Sequence, residues 1–379
     1  MINKNLENGF FDSFKKALGE EFFWGSSTLL DLREINDLLL KEIEEKLTKQ
    51  KLLGLKTFKF SLSWSLVFPT EKVVNQEILD FYAKVITICL SLEVEPYVVF
   101  FDGTTPDWVT DNGGWANRQI INYFENYVAT VVRFFVNKVK YYVVFKTTSC
   151  FSDVNQFLSK QIPNKKNIDN FMPSIHHAVL CQSIAVKTVK KFSADAQIGT
   201  TFSFASLRSS TFSIKDLKAT DRADALLNKI FIEPALGLGY PLELLPFLKN
   251  IKKHFYLGDE ELIKTHFDFI FVQNLIKVNI AYNSYIPYLN AKIIKTKNND
   301  TQKKEEAFDN SLYQMVLKFS QYQVVKKIFL VDNKRFITSD FDLNKPDDTN
   351  LSILYQVFFK QIVYIKSKIS KFEGCYFCN

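Results

Sequence analysis

The residues of this chain that could do chemistry sit where apolar runs stop. Tyr141-Tyr-Val-Val-Phe145 reads as a short buried strand, and it ends in the polar tip Lys146-Thr147-Thr148-Ser149. Lys327-Ile-Phe-Leu-Val331 ends in Asp332-Asn333-Lys334, and Glu95 to Phe101 ends in Asp102. A strand-end carboxylate can serve as nucleophile or general base if a second carboxyl group shares its cleft. For Asp332 the plainer alternative is an Asx turn before Asn333. Thr147 has no accessible proton near neutral pH, so its hydroxyl cannot act as a general acid. Lys146 beside Asp102 and Asp332 would give a neutralised, narrowed cleft. His176 and His177 fall on the apolar spacing of a helix, which points to packing.

Five cysteines are scattered over apolar segments, an odd number that suggests reduced thiols in a cytoplasmic setting. Cys375-Tyr-Phe-Cys378 is a C-x-x-C pair, but it lies in a strand-like run with no second pair and no suitable histidine nearby. Neither a metal site nor a redox site is expected there. No cofactor is expected either.

These groups need a scaffold, and the chain has 379 residues, of which 47% are hydrophobic, enough for one large barrel or two ordinary domains. The net charge of +7 is spread over interleaved acids and bases. That argues against a nucleic-acid stripe. No apolar run reaches the roughly 18 residues of a membrane span, and residues 1–19 contain no signal-peptide core. The abundant Phe, Lys, Ile and Asn read as codon bias.

Apolar strands and periodic helices alternate along the whole chain. Strands are expected at 21–25, 57–64, 95–101, 141–145, 197–202, 267–272, 327–331 and 374–377. Helices are expected at 36–53, 76–92, 117–137, 175–192, 223–232, 308–323 and 351–370. Continuously apolar strands imply burial on both faces, as in a parallel sheet. The fold class is therefore α/β, a single (β/α)8 barrel. No helical stretch follows the last strand, so the eighth outer helix is expected to be missing. An N-terminal amphipathic helix at 8–20, carrying Phe10, Phe11, Phe14 and Leu18, would cover that seam; a protein partner or a second copy is the alternative. The expected division is a helix over 1–20 and a barrel over 21–379.

The segments Phe23-Trp-Gly-Ser-Ser-Thr28, Gly54-Leu-Lys-Thr-Phe-Lys-Phe-Ser-Leu-Ser-Trp64, Gly113-Gly-Trp-Ala-Asn-Arg118, His176-His177, Arg222-Ala-Asp-Ala-Leu-Leu-Asn228 and Tyr240-Pro241 occur in an order that resembles glycoside hydrolase family 1. This is the family of β-glucosidases and 6-phospho-β-glucosidases. The resemblance implies a retaining mechanism, with two carboxyl groups about 5–5.5 Å apart. It puts the acid/base glutamate at Thr147 and the neighbouring asparagine at Lys146. The nucleophile glutamate falls on Asp332, which reaches less far by about 1.5 Å. Sugar-binding positions fall on Leu32, Asp102-Gly103, Ser203 and Gln273-Asn274, and an acidic one is kept as Glu34.

Two functions follow, beside a third class, an assembly subunit that buries the missing-helix seam and that the oligomeric state in solution would reveal. One is a barrel that has lost glycosidase chemistry and serves as a binding or structural protein, whose ligand would be a β-glycoside or another small molecule. The other is an active hydrolase that pairs Asp332 with a recruited carboxylate, Asp102 or Glu34; a separation of about 6.5–9.5 Å would then suggest inversion.

Overall fold

The computed structural model describes residues 16–28, 30, 32, 35–146, 165–286, 288–294, 310–332 and 349–378; for 165–170, 275–276 and 349–356 it describes the backbone alone. Eight parallel strands close into a barrel. They are β1 (Phe23–Thr28), β2 (Thr57–Ser61), β3 (Glu95–Phe101), β4 (Tyr141–Phe145), β5 (Gln197–Ser209), β6 (Phe269–Tyr282), β8 (Ile328–Asp332) and β9 (Phe372–Cys378). Neighbours pair in chain order, and β9 returns to β1, so the sheet has no open seam. A ninth strand, β7 (Ala291–Ile294), adds to β6 in antiparallel sense.

Helices α1 (Asp37–Leu52), α2 (Gln76–Ser91), α3 (Ile120–Phe134), α4 (Lys165–Phe192), α5 (Ile214–Asp224), α6 (Ser311–Gln321) and α7 (Thr349–Lys368) pack outside. Their starts follow local chemistry. The Asn36 and Asn75 side chains accept from the backbone N–H of Leu39 and Ile78 and so cap α1 and α2. Among the described residues, no helix is long and apolar enough to cross a membrane.

Element positions follow the sequence periodicity with several differences. β1 runs on to Thr28, the strand expected over 57–64 stops at Ser61 and Trp64–Val67 is helical, β7 was not expected, and the helix expected over 223–232 is part of a helical run from Ile214 to Ala235. β5 and β6 run on well past Phe202 and Val272, because they keep pairing with each other through Ser209 and Ile280. The register shifts at Phe204/Ala205, where Asn228 acts as a surrogate strand partner. Its amide accepts from Ala205 N at 2.8 Å and donates to Ala205 O at 3.0 Å. Helix α4 begins at Lys165 rather than near Ile175, running through Pro173. Residues 16–18 are helical and Leu18 is buried in the core, the helix stops before Gly19, and residues 8–15 of the expected 8–20 helix lie outside the described residues.

The barrel is filled by rings. Tyr97, Phe269, Phe271, Phe329 and Tyr376 form an interior cluster with Val99, Val143 and Val331. Edge contacts dominate, such as Phe271 on Tyr376 at 4.8 Å and 87°. Glycines make room for three of these rings. Gly25 pairs with Tyr376, Gly199 with Phe269 and Gly374 with Phe329. A Cβ on Gly199 would lie 2.4 Å from the Phe269 ring, and one on Gly25 2.5 Å from that of Tyr376. Large and small residues thus interlock across neighbouring strands.

Candidate active site

In a (β/α)8 barrel the chemistry belongs at the C-terminal ends of the strands. Those ends are braced from behind by an aromatic wall. Phe101 and Phe145, at the tips of β3 and β4, pack on each other at 5.5 Å and on Trp115 at 5.2 and 5.8 Å. Trp115 is fixed in turn by its indole N–H, which donates to Thr105 Oγ1 at 2.9 Å. Gly113 and Gly114 turn the chain toward it with φ of 90° and 57°, a region open to glycine.

From the same segment Arg118 reaches Asp259 with two donors. The Asp259 carboxylate also accepts from Tyr256 N at 2.8 Å and lies 3.0 Å from His176 Nε2. His176 Nδ1 meets the Tyr240 hydroxyl at 3.1 Å. Burial alone would raise the Asp259 pKa; Arg118, Tyr256 N and His176 outweigh it and hold the carboxyl below its ordinary value. Burial lowers the pKa of His176, against the pull of Asp259. His177 is pushed down to about 4 by burial, with its Nδ1 2.9 Å from Trp115 O. Both histidines are therefore packing and network residues, His176 in the Asp259 cluster and His177 behind Trp115.

At the mouth itself, Lys146 follows β4 and donates its backbone N–H to Phe101 O at 2.8 Å. Asp102 folds back on its own turn, with Oδ1 accepting from Thr104 N at 2.7 Å. Burial raises the pKa of the Tyr82 and Tyr127 hydroxyls behind the strands, and the Asp102 charge adds a smaller push in the same direction. Gln273 and Ser203 are register partners on β6 and β5, and the Gln273 amide donates to Ser203 Oγ at 2.7 Å in a buried pair. Asp332 is the last residue of β8 and is buried, at 7% exposure. Val331 points into the barrel; Asp332 follows it in the pleat and pairs in register with Phe377. Glu34, Thr147 and Asn333 lie outside the described residues.

The mouth also holds two groups whose role the sequence did not reveal. Cys378, Ser27 and Lys59 are register neighbours across β9, β1 and β2. Burial raises the pKa of the Cys378 thiol; Lys59 and Lys146 oppose that, and Asp332 adds to it. The charged groups around this thiol are thus two ammoniums and one carboxylate. Cys375 packs in the outer core, whereas Cys378 packs against the interior cluster, so the two cysteines face opposite sides of β9. The sequence signal for Lys59 was its place in the stretch Gly54 to Trp64, at the arginine position of the family motif that this stretch resembles. Among the described residues, no group of three or more His, Cys, Asp or Glu could hold a metal ion. A surface cleft of about 680 Å³ lies elsewhere, between the N-termini of α1 and α2, beside Leu40 and Phe81.

Comparison with known proteins agrees with this architecture. The chain is 28% identical to beta-glucosidase A of Acetivibrio thermocellus over 63% of its own length and 54% of that protein's. It is 27% identical to the 6-phospho-beta-glucosidase GmuD of Bacillus subtilis, over 55% of this chain and 45% of that one. The chain thus spans about half the length of these curated relatives. A family 1 β-glucosidase from Thermotoga maritima in complex with isofagomine lactam superposes with a TM-score of 0.80 at 19% identity, covering 95% of this chain and 88% of that one. The structure of the virulence factor SghA with its substrate analog salicin gives 0.82 at 16% identity, covering 98% and 89%. These two likenesses show the fold. The sequence profile of glycosyl hydrolase family 1 matches residues 34–362, and the chain belongs to that family.

Proposed function

We propose that this family 1 barrel has lost glycosidase chemistry and serves as a binding or structural protein. The observation that carries this reading is the make-up of the mouth. A retaining glycosidase needs two carboxyl groups facing one sugar. Here the resemblance puts the acid/base position at Thr147, and the carboxylate at the nucleophile position, Asp332, is one of three charged groups, with Lys59 and Lys146, that act on the Cys378 thiol. Asp102, the described candidate for a recruited acid, is engaged by its own turn. Gln273 and Ser203 hold each other where the family would contact a sugar.

The β-glycoside site of the relatives is thereby turned into a neutralised mouth of ammonium, thiol and carboxylate. Its occupant is a small ligand rather than a substrate for hydrolysis. The N-terminal segment 1–20 is assigned to covering the barrel, consistent with the buried Leu18. The test is a panel of activated aryl β-glucosides and aryl 6-phospho-β-glucosides at high protein concentration, with Asp332→Ala as control. Equal background release from both proteins is expected. Turnover present in the parent and absent from the variant would overturn the reading in favour of a hydrolase rebuilt around Asp332.

A further inference from the structure

Lys59 is a buried basic group inside the barrel. It projects from β2 into the barrel, 1% exposed, with its ammonium 4.3 Å from the centroid of the Phe271 ring. Among the described residues it has neither an ion pair nor a hydrogen bond. A buried ammonium without a carboxylate is costly, and the usual response is to release its proton. The neighbours pull both ways: Cys378 favours the charged form, Lys146 opposes it as a like charge, and Phe271 offers a ring face that offsets only part of the desolvation. Beside it in register stand Ser27 and then Cys378, so the amine belongs to the mouth rather than to the floor of the barrel.

We propose that Lys59 is an imine-forming lysine, taking a small aldehyde or ketone that carries an acidic group, with Lys146 as the countercharge for that group. An amine desolvated in a barrel and set near a second cation is the arrangement that activates lysine toward carbonyl carbon. The step balances without any further reactant. The ammonium loses its proton, and the Nζ lone pair forms the C–N bond. The carbonyl π pair moves to oxygen, which leaves as water after taking two protons, one of them the proton first released. The net change is ammonium plus carbonyl giving protonated imine plus water. Burial lowers the Lys59 pKa from 10.5 to about 8, with Cys378 opposing it and Lys146 adding to it, so a useful fraction is free amine near neutral pH. The proposal goes beyond loss of hydrolysis and does not depend on it, because glycoside cleavage is not what its test reads.

The experiment traps the imine with glyoxylate and cyanoborohydride on the intact native protein, with the marked lysines located by mass spectrometry. Lys59 is expected to be marked about tenfold faster than exposed lysines, with a pH midpoint near 8. Glyoxylate should outpace acetaldehyde at Lys59. The mark at this position should vanish in Lys59→Arg, and Lys146→Met should move the midpoint upward. Marking of Lys59 only after denaturation, a midpoint in the ordinary lysine range, or equal rates with acetaldehyde would overturn the assignment.

Discussion

Two buried charged clusters of this molecule are built on opposite terms. Around Asp259 each charge is met: Arg118 gives two donors, Tyr256 gives its N–H, and His176 links on to Tyr240. Around Lys59 the charge rests on a ring face and beside a second lysine. The first cluster ties the start of α3 to α4 and to the loop before Asp259, and so holds the outer layer together. The second sits at the barrel mouth, near the C-terminal strand ends where (β/α)8 enzymes do their chemistry. The difference teaches how one scaffold treats buried charge. The network that joins its elements is complete, whereas at the mouth an ammonium stands, among the described residues, without a carboxylate partner, which is what the proposed loss of hydrolysis leads one to expect.

The contrast can be broken at either end. Asp259→Ala should have the largest effect, because it leaves Arg118 without its buried partner; a loss of about 3–5 kcal/mol in denaturant unfolding is expected. Lys59→Met should act in the opposite sense. The Lys59 pKa is about 8 in the folded chain against 10.5 ordinarily. The folded state therefore disfavours the charged form, and the penalty is fully present below pH 8 and gone above 10.5. At about 1.4 kcal/mol per unit this is about 3 kcal/mol. The methionine variant should be more stable at pH 7 by up to that amount and lose its advantage as the pH rises past 10, which thermal unfolding across pH would read. Ser203→Ala should have the smallest effect, about 1 kcal/mol, from one buried hydrogen bond to Gln273.

The barrel was legible in the sequence because its signal is repeated. Eight apolar strands and seven periodic helices each carried the same message, and β3 and β4 fall on the expected residues. The upper parts of β5 and β6 were less legible. There the polar stretch Ser206 to Ser209 is strand only because β6 supplies its partners, a tertiary effect that propensity does not register. For the site, the family resemblance suggested losses at Thr147 and Asp332; Asp332 is buried at the end of β8, and Thr147 lies outside the described residues. What took their place was not legible. Lys59, Ser27 and Cys378 lie far apart in the chain, and only the register of β2, β1 and β9 sets them side by side. The Arg118 to Asp259 network escaped for the same reason, spanning 141 positions.

The central claim is that Asp332 no longer works as a glycosidase nucleophile. It is tested most directly by an activated 2-deoxy-2-fluoro-β-glucoside and its 6-phospho counterpart, which mark such a nucleophile covalently without needing an acid/base residue. Intact-mass measurement after long incubation should show the unmodified chain. A stoichiometric glycosyl adduct on Asp332 would contradict the account and return this barrel to the hydrolases.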